Sequence, residues 1–338
     1  MRIADWTGAL GQPATGYTLS MNAPETIAIV CALDNSYVMP MASMVASLLH
    51  NLASDQSVQL FIIDGGIQPQ QKSRFTRSLD ETRCQVNWML PQPELLRRVE
   101  RMTVSGHIAL SAYYRIFIPE LLPETVEKVI YLDCDLIVLG NLKELWDLDL
   151  QSSYLLAAQD TGVQYVSSDN GLMNYRELRI PPETKYFNSG VLVINLKQWR
   201  QDNICWEIVA YIENNISRIR WHDQDALNAV LFDHWQELPP WWNQIPAIYD
   251  FQSWQESPFP QDVYEHTLHQ PDIVHFATSR KPWNSFDHRD AELFYDYLDR
   301  TAWRGWRLTR SRQIIQTSQQ LLKKAKTRAY QQFLSLKD

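Results

Sequence analysis

Asp133 and Asp135 stand two residues apart at the end of a short apolar run, Val129-Ile130-Tyr131-Leu132, within the stretch VIYLDCDLIVLG. The run has the length and composition of a buried strand. In an extended chain, residues i and i+2 point to the same side, roughly 6–7 Å apart. Two carboxylates held there repel each other, and burying their charge without a partner is costly. A divalent cation resolves the conflict, because oxygen ligands suit magnesium or manganese. A surface turn with two solvated aspartates is the alternative, and the local sequence leaves both open.

The elements that must position this pair alternate along the chain. Thr26 to Leu33, Val58 to Ile63 and Cys84 to Leu90 read as strands, with helical spacing in Met39 to Leu52 and Gln70 to Leu79 between them. That alternation predicts βαβ units and a mostly parallel sheet, which places ligands beyond the carboxyl ends of its strands. Asp34, Asp64 and Asp133 all follow such ends. Further on, the pattern predicts a helix over Ser105 to Ile118 carrying Arg115 and a short turn or helix at Leu142 to Trp146. Strands follow at Tyr154 to Gln159 and Asn188 to Leu196, then helices at Lys197 to Asn215 and Asp223 to Phe232. Pro239 to Pro260 is expected to be irregular, and Ile273 to Phe276 to be a last short strand.

At 338 residues the chain exceeds the roughly 250–300 at which a single core stops growing, so an appendage to the main domain is expected. Residues 1–24 read as a mobile leader, 25–300 as the main domain and 301–338 as a basic tail. Hydrophobic residues at 45% and charged ones at 21% are those of an ordinary globular protein. The net charge of -8 argues against nucleic acid as a partner. From Arg300 onward, however, ten Lys or Arg face one acid, Asp338. Four cysteines without a CxxC spacing predict free thiols in a reducing compartment. With no secretory signal and no run of 18 apolar residues, a cytoplasmic location is expected.

Six blocks in order, CALDNSY, SAYYRIF, YLDCDLIVLGNLKELWDLDL, YFNSGVLVINLKQWR, HDQDALN and HFATSRKPW, are together specific, and the chain resembles glycosyltransferase family 8 from about Thr26 to Trp283. That group includes bacterial lipopolysaccharide galactosyl- and glucosyltransferases and the glycogenins. The resemblance implies a GT-A-type α/β fold and retaining transfer of a hexose, glucose or galactose, from a UDP-sugar to a saccharide or lipid-linked saccharide. It implies Mn2+ or Mg2+ on Asp133, Asp135 and His275; in isolation, His275 reads as a satisfied histidine at a strand end. It places Ala32, Asp34 and Tyr37 at the uracil and ribose, and Arg115 and Lys281 on the donor diphosphate side. Asp34 can equally cap the following helix, and Arg115 can be a helix-surface ion pair. Asp160, Asn188, Asp223 and Gln224 match positions around the donor sugar, with Gln224 nearest the anomeric centre. Asp225 reads as a helix cap. An amide lacks the basicity of a carboxylate nucleophile, which favours front-face displacement over a covalent intermediate.

Thr278 stands where the family's last block usually has glycine, three residues after the histidine. On the acceptor side the candidates are His107, Trp221 and the Trp241-Trp242 pair. The stretch from Arg304 to Leu336 reads either as a solvated helix or as a basic amphipathic helix for an anionic membrane surface or a partner. Two other classes compete with the transferase reading. A phosphatase of the haloacid dehalogenase type also ends a strand with DxD, but usually on its first strand. A sugar-binding protein on a degenerate transferase fold would keep the architecture without the reaction.

Overall fold

The computed structural model describes residues 26–102, 110–315 and 317–318. The first half builds β1 (Thr26–Leu33), α1 (Val38–Asn51), β2 (Ser57–Asp64), α2 (Pro69–Thr76), β3 (Cys84–Met89) and α3 (Pro93–Met102). After a 3-10 helix at Leu110–Phe117 come α4 (Ile118–Leu121), β4 (Lys128–Leu132), β5 (Leu136–Val138), α5 (Leu142–Trp146) and β6 (Leu155–Gln159). The remainder holds β7 (Phe187–Asn195), α6 (Leu196–Gln201), α7 (Ile204–Asn215), α8 (Asp223–Leu231), β8 (Trp235–Leu238), α9 (Gln261–His269), β9 (Ile273–His275) and α10 (Ala291–Leu298).

A seven-stranded sheet runs in the order β3-β2-β1-β4-β7-β6-β8. Its β3, β2, β1 and β4 are mutually parallel, whereas β7 is antiparallel to both β4 and β6. The continuous apolar runs follow from burial on both faces. In β1, Ile27, Ile29, Cys31 and Leu33 enter the cluster shared with α1 and α10, while Ala28 and Val30 enter the one shared with α6, α7 and α8. The mixed, mostly parallel sheet flanked by helices is the predicted fold class.

Four details differ from the sequence reading. Of the helix expected over Ser105 to Ile118, residues 105–109 lie outside the described residues and 110–117 take the tighter 3-10 form. The helix expected over Lys197 to Asn215 is broken into α6 and α7 at Asn203, whose φ of 55° is left-handed and ends helical propagation. The edge strand β8 escaped because Trp-Gln-Glu-Leu is short and half polar. In the segment expected to be irregular, 3-10 turns at Pro240–Asn243, Pro246–Asp250 and Trp254–Glu256 are regular enough to hold side chains in place. Packing also continues past residue 300. Arg74 donates to Ala302 O at 2.9 Å and lies over the Trp303 ring, which is buried in the α1 and α10 cluster.

Candidate functional site

The DxD segment is the link between two sheets. Asp133 N donates to Gly190 O at 2.8 Å, extending the β4–β7 pairing by one residue. The chain then turns through Cys134 into β5, which pairs antiparallel with β9, Leu136 opposite His275. This crossing brings the two carboxylates to the His275 ring. One ligand atom each from Asp133, Asp135 and His275 lie within 4.8 Å of one another. His275 Nε2 is 3.7 Å from Asp133 Oδ2 and 3.5 Å from Asp135 Oδ1. Two carboxylates and an imidazole form a donor set for a hard to borderline divalent cation, and the residues present fit such an ion.

Gly190 shows how closely the backbone approaches. A Cβ there would lie 2.3 Å from His275 Cε1 and 2.9 Å from Asp133 Oδ2. Glycine inside a strand marks such an approach.

Charge around the cluster is organised by two cations. Lys281 Nζ contacts Asp135 Oδ2 and donates to Phe276 O. Burial pushes Asp135 up, but Lys281 and His275 outweigh it and hold the carboxyl well below its usual range. Arg115, fully buried on the other side, donates to Asp133 Oδ1 at 3.0 Å and to Ser189 Oγ at 2.9 Å, and lies over the Tyr131 ring. Tyr131 in turn donates to Asp133 Oδ1 at 2.7 Å. The surface ion pair left open for Arg115 by its sequence is excluded by this burial.

Arg115 Nε also lies 2.8 Å from Asp223 Oδ2, yet its hydrogen points to Ala112 O at 3.1 Å. Asp223 Oδ2 is therefore paired in charge but lacks an aligned donor among the described residues. Burial, only partly offset by Arg115, pushes the Asp223 carboxyl up to about 6. Asp225, two residues on and inside α8, accepts from Arg220 N, Trp221 N and the Tyr186 hydroxyl, so it ties the incoming loop to the helix instead of capping it as expected; the N-cap position is His222, which makes no side-chain cap.

Asp160 and Gln224 meet beyond Arg115. Asp160 Oδ1 accepts from Gly162 N and Val163 N, and Oδ2 accepts from Asn188 Nδ2 at 2.9 Å and Gln224 Nε2 at 3.1 Å. Gln224 Oε1 accepts from Ser189 N at 2.9 Å, so both ends of its amide are engaged. The residue before Asp223, His222, has φ 55° and ψ -126°, and its Nδ1 lies 3.2 Å from the Tyr113 hydroxyl. Such backbone geometry in a non-glycine residue is costly and clusters at functional sites.

Asp34 does cap the 3-10 turn that follows it, accepting from Ser36 N at 2.9 Å. Tyr37 sits edge-on to Trp283, and burial together with the Asp135 and Asp34 carboxylates raises its phenol well above the ordinary value. Ala32 O is 3.8 Å from Cys134 Sγ, which ties β1 to the DxD segment. Asp64 belongs elsewhere, with Oδ1 accepting from Gly66 N and Ile67 N while Oδ2 pairs with Lys72. Thr278 is exposed, bonds Arg280 O through its hydroxyl, and is not among the residues of positive φ. Its backbone does not need glycine's freedom here.

Of the acceptor candidates, Trp221 is exposed at the rim with its Nε1 donating to Asn170 O, Trp241 stacks on His266, and Trp242 is buried. His107 lies outside the described residues. Sequence reasoning missed Ser189, Gly190, Tyr131 and Asn243. Only Gly190 carried a signal, a glycine in the middle of an apolar run.

The family model described as Glycosyl transferase family 8 matches residues 28–287. General stress protein A of Bacillus subtilis strain 168 is 34% identical over 288 residues, 84% of this chain and 96% of its own length. Lipopolysaccharide 1,2-glucosyltransferase of Escherichia coli is 22% identical, with 85% of this chain and 82% of that protein covered. The solved structure of the galactosyltransferase LgtC, in complex with donor and acceptor sugar analogs, superposes with a TM-score of 0.69 at 25% identity, covering 81% of this chain and 96% of that one. The sheet described above is thus the GT-A fold of LgtC, and the phosphatase alternative falls away. With its model matched across most of the length, this chain belongs to glycosyl transferase family 8 and is a glycosyltransferase.

Proposed function

We propose that the chain transfers a hexosyl group, glucose or galactose, from a UDP-sugar to a saccharide or lipid-linked saccharide, with retention at the anomeric carbon. The observation that carries this is the Asp133, Asp135 and His275 cluster, gathered within 4.8 Å beside a buried polar network. These three residues would hold Mn2+ or Mg2+. Bound there, the cation supplies charge neutralisation for the leaving diphosphate.

The chain's own residues supply the rest. Lys281 and Arg115 are fixed cations flanking the DxD carboxylates, on the side where the diphosphate would lie. Ala32, Asp34 and Tyr37 border the base and ribose at the end of β1. Asp160, Asn188, Asp223 and Gln224 take hydrogen bonds from sugar hydroxyls, and a site built that way discriminates strongly between hydroxyl arrangements. Gln224, held at both ends of its amide, orients the sugar by its dipole and does not act as nucleophile. The acceptor hydroxyl then attacks on the face from which the diphosphate leaves, and the leaving phosphate oxygen takes its proton. Trp221 at the rim offers an aromatic face to an acceptor ring, with His107 and Trp241 as further acceptor-side positions.

Membrane contact through the tail is part of the same proposal. Residues 310–315 are helical, and Ile314 and Ile315 are 67% and 55% exposed beside Arg310 and Arg312. Among the described residues no helix is long and apolar enough to cross a membrane. A basic helix with exposed isoleucines suits peripheral attachment to the anionic cytoplasmic leaflet, where a lipid-linked acceptor would be presented. Four buried free thiols suit a cytoplasmic enzyme.

Proton NMR of the first product from UDP-glucose or UDP-galactose with Mn2+ tests the reaction. The α-anomer is expected, and a β-linked first product would rule out retention. Binding of the donor without any transfer or hydrolysis would favour the sugar-binding alternative.

A further inference from the structure

Asn243 ends the 3-10 turn Pro240–Asn243 and is buried between the cation cluster and the sugar-side residues. Its Nδ2 donates to Asn188 Oδ1 at 2.9 Å, and its Oδ1 lies 2.9 Å from His275 Nδ1. The direction of every hydrogen in this chain follows from groups that have only one role. Gly190 N can only donate, and it does so to Asn188 Oδ1 at 2.9 Å. Asn188 Nδ2 donates to the carboxylate of Asp160 at 2.9 Å. Asn188 therefore turns its oxygen toward Asn243, and Asn243 must answer with its amide nitrogen. That leaves Asn243 Oδ1 facing His275 Nδ1. Two acceptors cannot share the contact, so Nδ1 carries the hydrogen. Nε2 is then the ring nitrogen turned toward Asp133 Oδ2 at 3.7 Å and Asp135 Oδ1 at 3.5 Å.

We propose that Asn243 is a positioning residue that holds His275 in the tautomer presenting Nε2 to a divalent cation. The same side chain ties that ligand, through Asn188 and Asp160, to Gln224 on the sugar side. The hydrogen bond on the far nitrogen of a ligating histidine fixes ring orientation and ligand basicity. The inference rests on the cation-dependent reading of the site, but it concerns a contact that exists without the cation.

Two readouts on the full chain test it. In the metal-free protein, a long-range 15N–1H NMR spectrum, assigned with His275→Gln, reads the ring nitrogens directly; a hydrogen on Nδ1 is expected. Mn2+ binding, followed by electron paramagnetic resonance without nucleotide, is then compared in wild type, Asn243→Leu and Asn243→Asp. The leucine variant removes the acceptor and should bind Mn2+ about 10–100-fold more weakly. The aspartate variant keeps an acceptor for Nδ1 while losing the donor to Asn188 Oδ1, and should bind Mn2+ more tightly than the leucine variant. An Nδ1 without a hydrogen in the wild type, or a leucine variant that binds as wild type does, would overturn the inference. Wild type that binds no Mn2+ while showing the expected tautomer would instead count against the cation-dependent function, leaving the Asn243 contact standing.

Discussion

On the cation side of the site, Asp135 has Lys281 in contact with one oxygen and His275 3.5 Å from the other. On the sugar side, Asp223 has a single guanidinium 2.8 Å away, and Arg115 divides its donors among Asp133, Ser189 and Ala112. Both aspartates are buried. Yet the first carboxyl is held below its usual range, and the second is pushed up to about 6. Burial raises both; what separates them is whether the neighbouring positive charge is committed or shared. Asp135 is thereby kept ionised, as a metal ligand must be. Asp223 is kept with an oxygen lacking an aligned donor, a group that a sugar hydroxyl could satisfy.

Removing the cation that spans both sides should have the largest effect. Arg115→Met leaves Asp133 and Asp223 without their common counter-charge, and uncompensated buried charge costs about 3–5 kcal/mol. Urea unfolding should show a loss of that order; a loss under about 1 kcal/mol, the range of a surface pair, would erase the distinction drawn here. Gly190→Ala should act first on the cation side. Its Cβ would sit 2.3 Å from His275 Cε1, displacing the ring, and Mn2+ affinity should fall by roughly 10–100-fold, with a loss of about 1–3 kcal/mol in urea unfolding from overpacking a buried site. The smallest effect isolates the sugar side. Folded, Asp223 keeps its proton up to about pH 6, but unfolded only to about 3.8. The native state then binds more protons in that window, so this residue's contribution to stability falls as pH rises through it. Asp223→Asn should remove that part of the slope between about pH 4 and 6. An unchanged slope would place the raised carboxyl elsewhere.

The cation side was legible in the sequence through the ordered blocks of the family resemblance, since the DxD pair and His275 taken singly left other readings open. VIYL is a strand by composition, both carboxylates follow its end, and HFATSRKPW carries His275 and Lys281 in one block. The parallel half of the sheet was legible on its own, since strands buried on both faces are continuous apolar runs. Its partner contacts were not. The β5–β9 pairing joins residues more than 130 positions apart in sequence, and three-residue strands carry no periodicity. Asn243 lies in a Trp- and Pro-rich stretch whose 3-10 turns have no apolar repeat. The left-handed Asn203 breaks a helix whose pattern runs on across it, because hydrophobic spacing does not register a single backbone dihedral. Thr278 reads as a departure in sequence, and its φ is not among the positive ones, so no backbone dihedral at that position requires glycine.

The most direct test of the central claim is a calorimetric titration of UDP with and without Mn2+, on wild type and on the Asp133→Ala/Asp135→Ala variant. The arrangement of Asp133, Asp135, His275 and Lys281 predicts tight binding only with the cation, and none of that enhancement in the double variant. UDP binding that ignores both the cation and the two aspartates would contradict it.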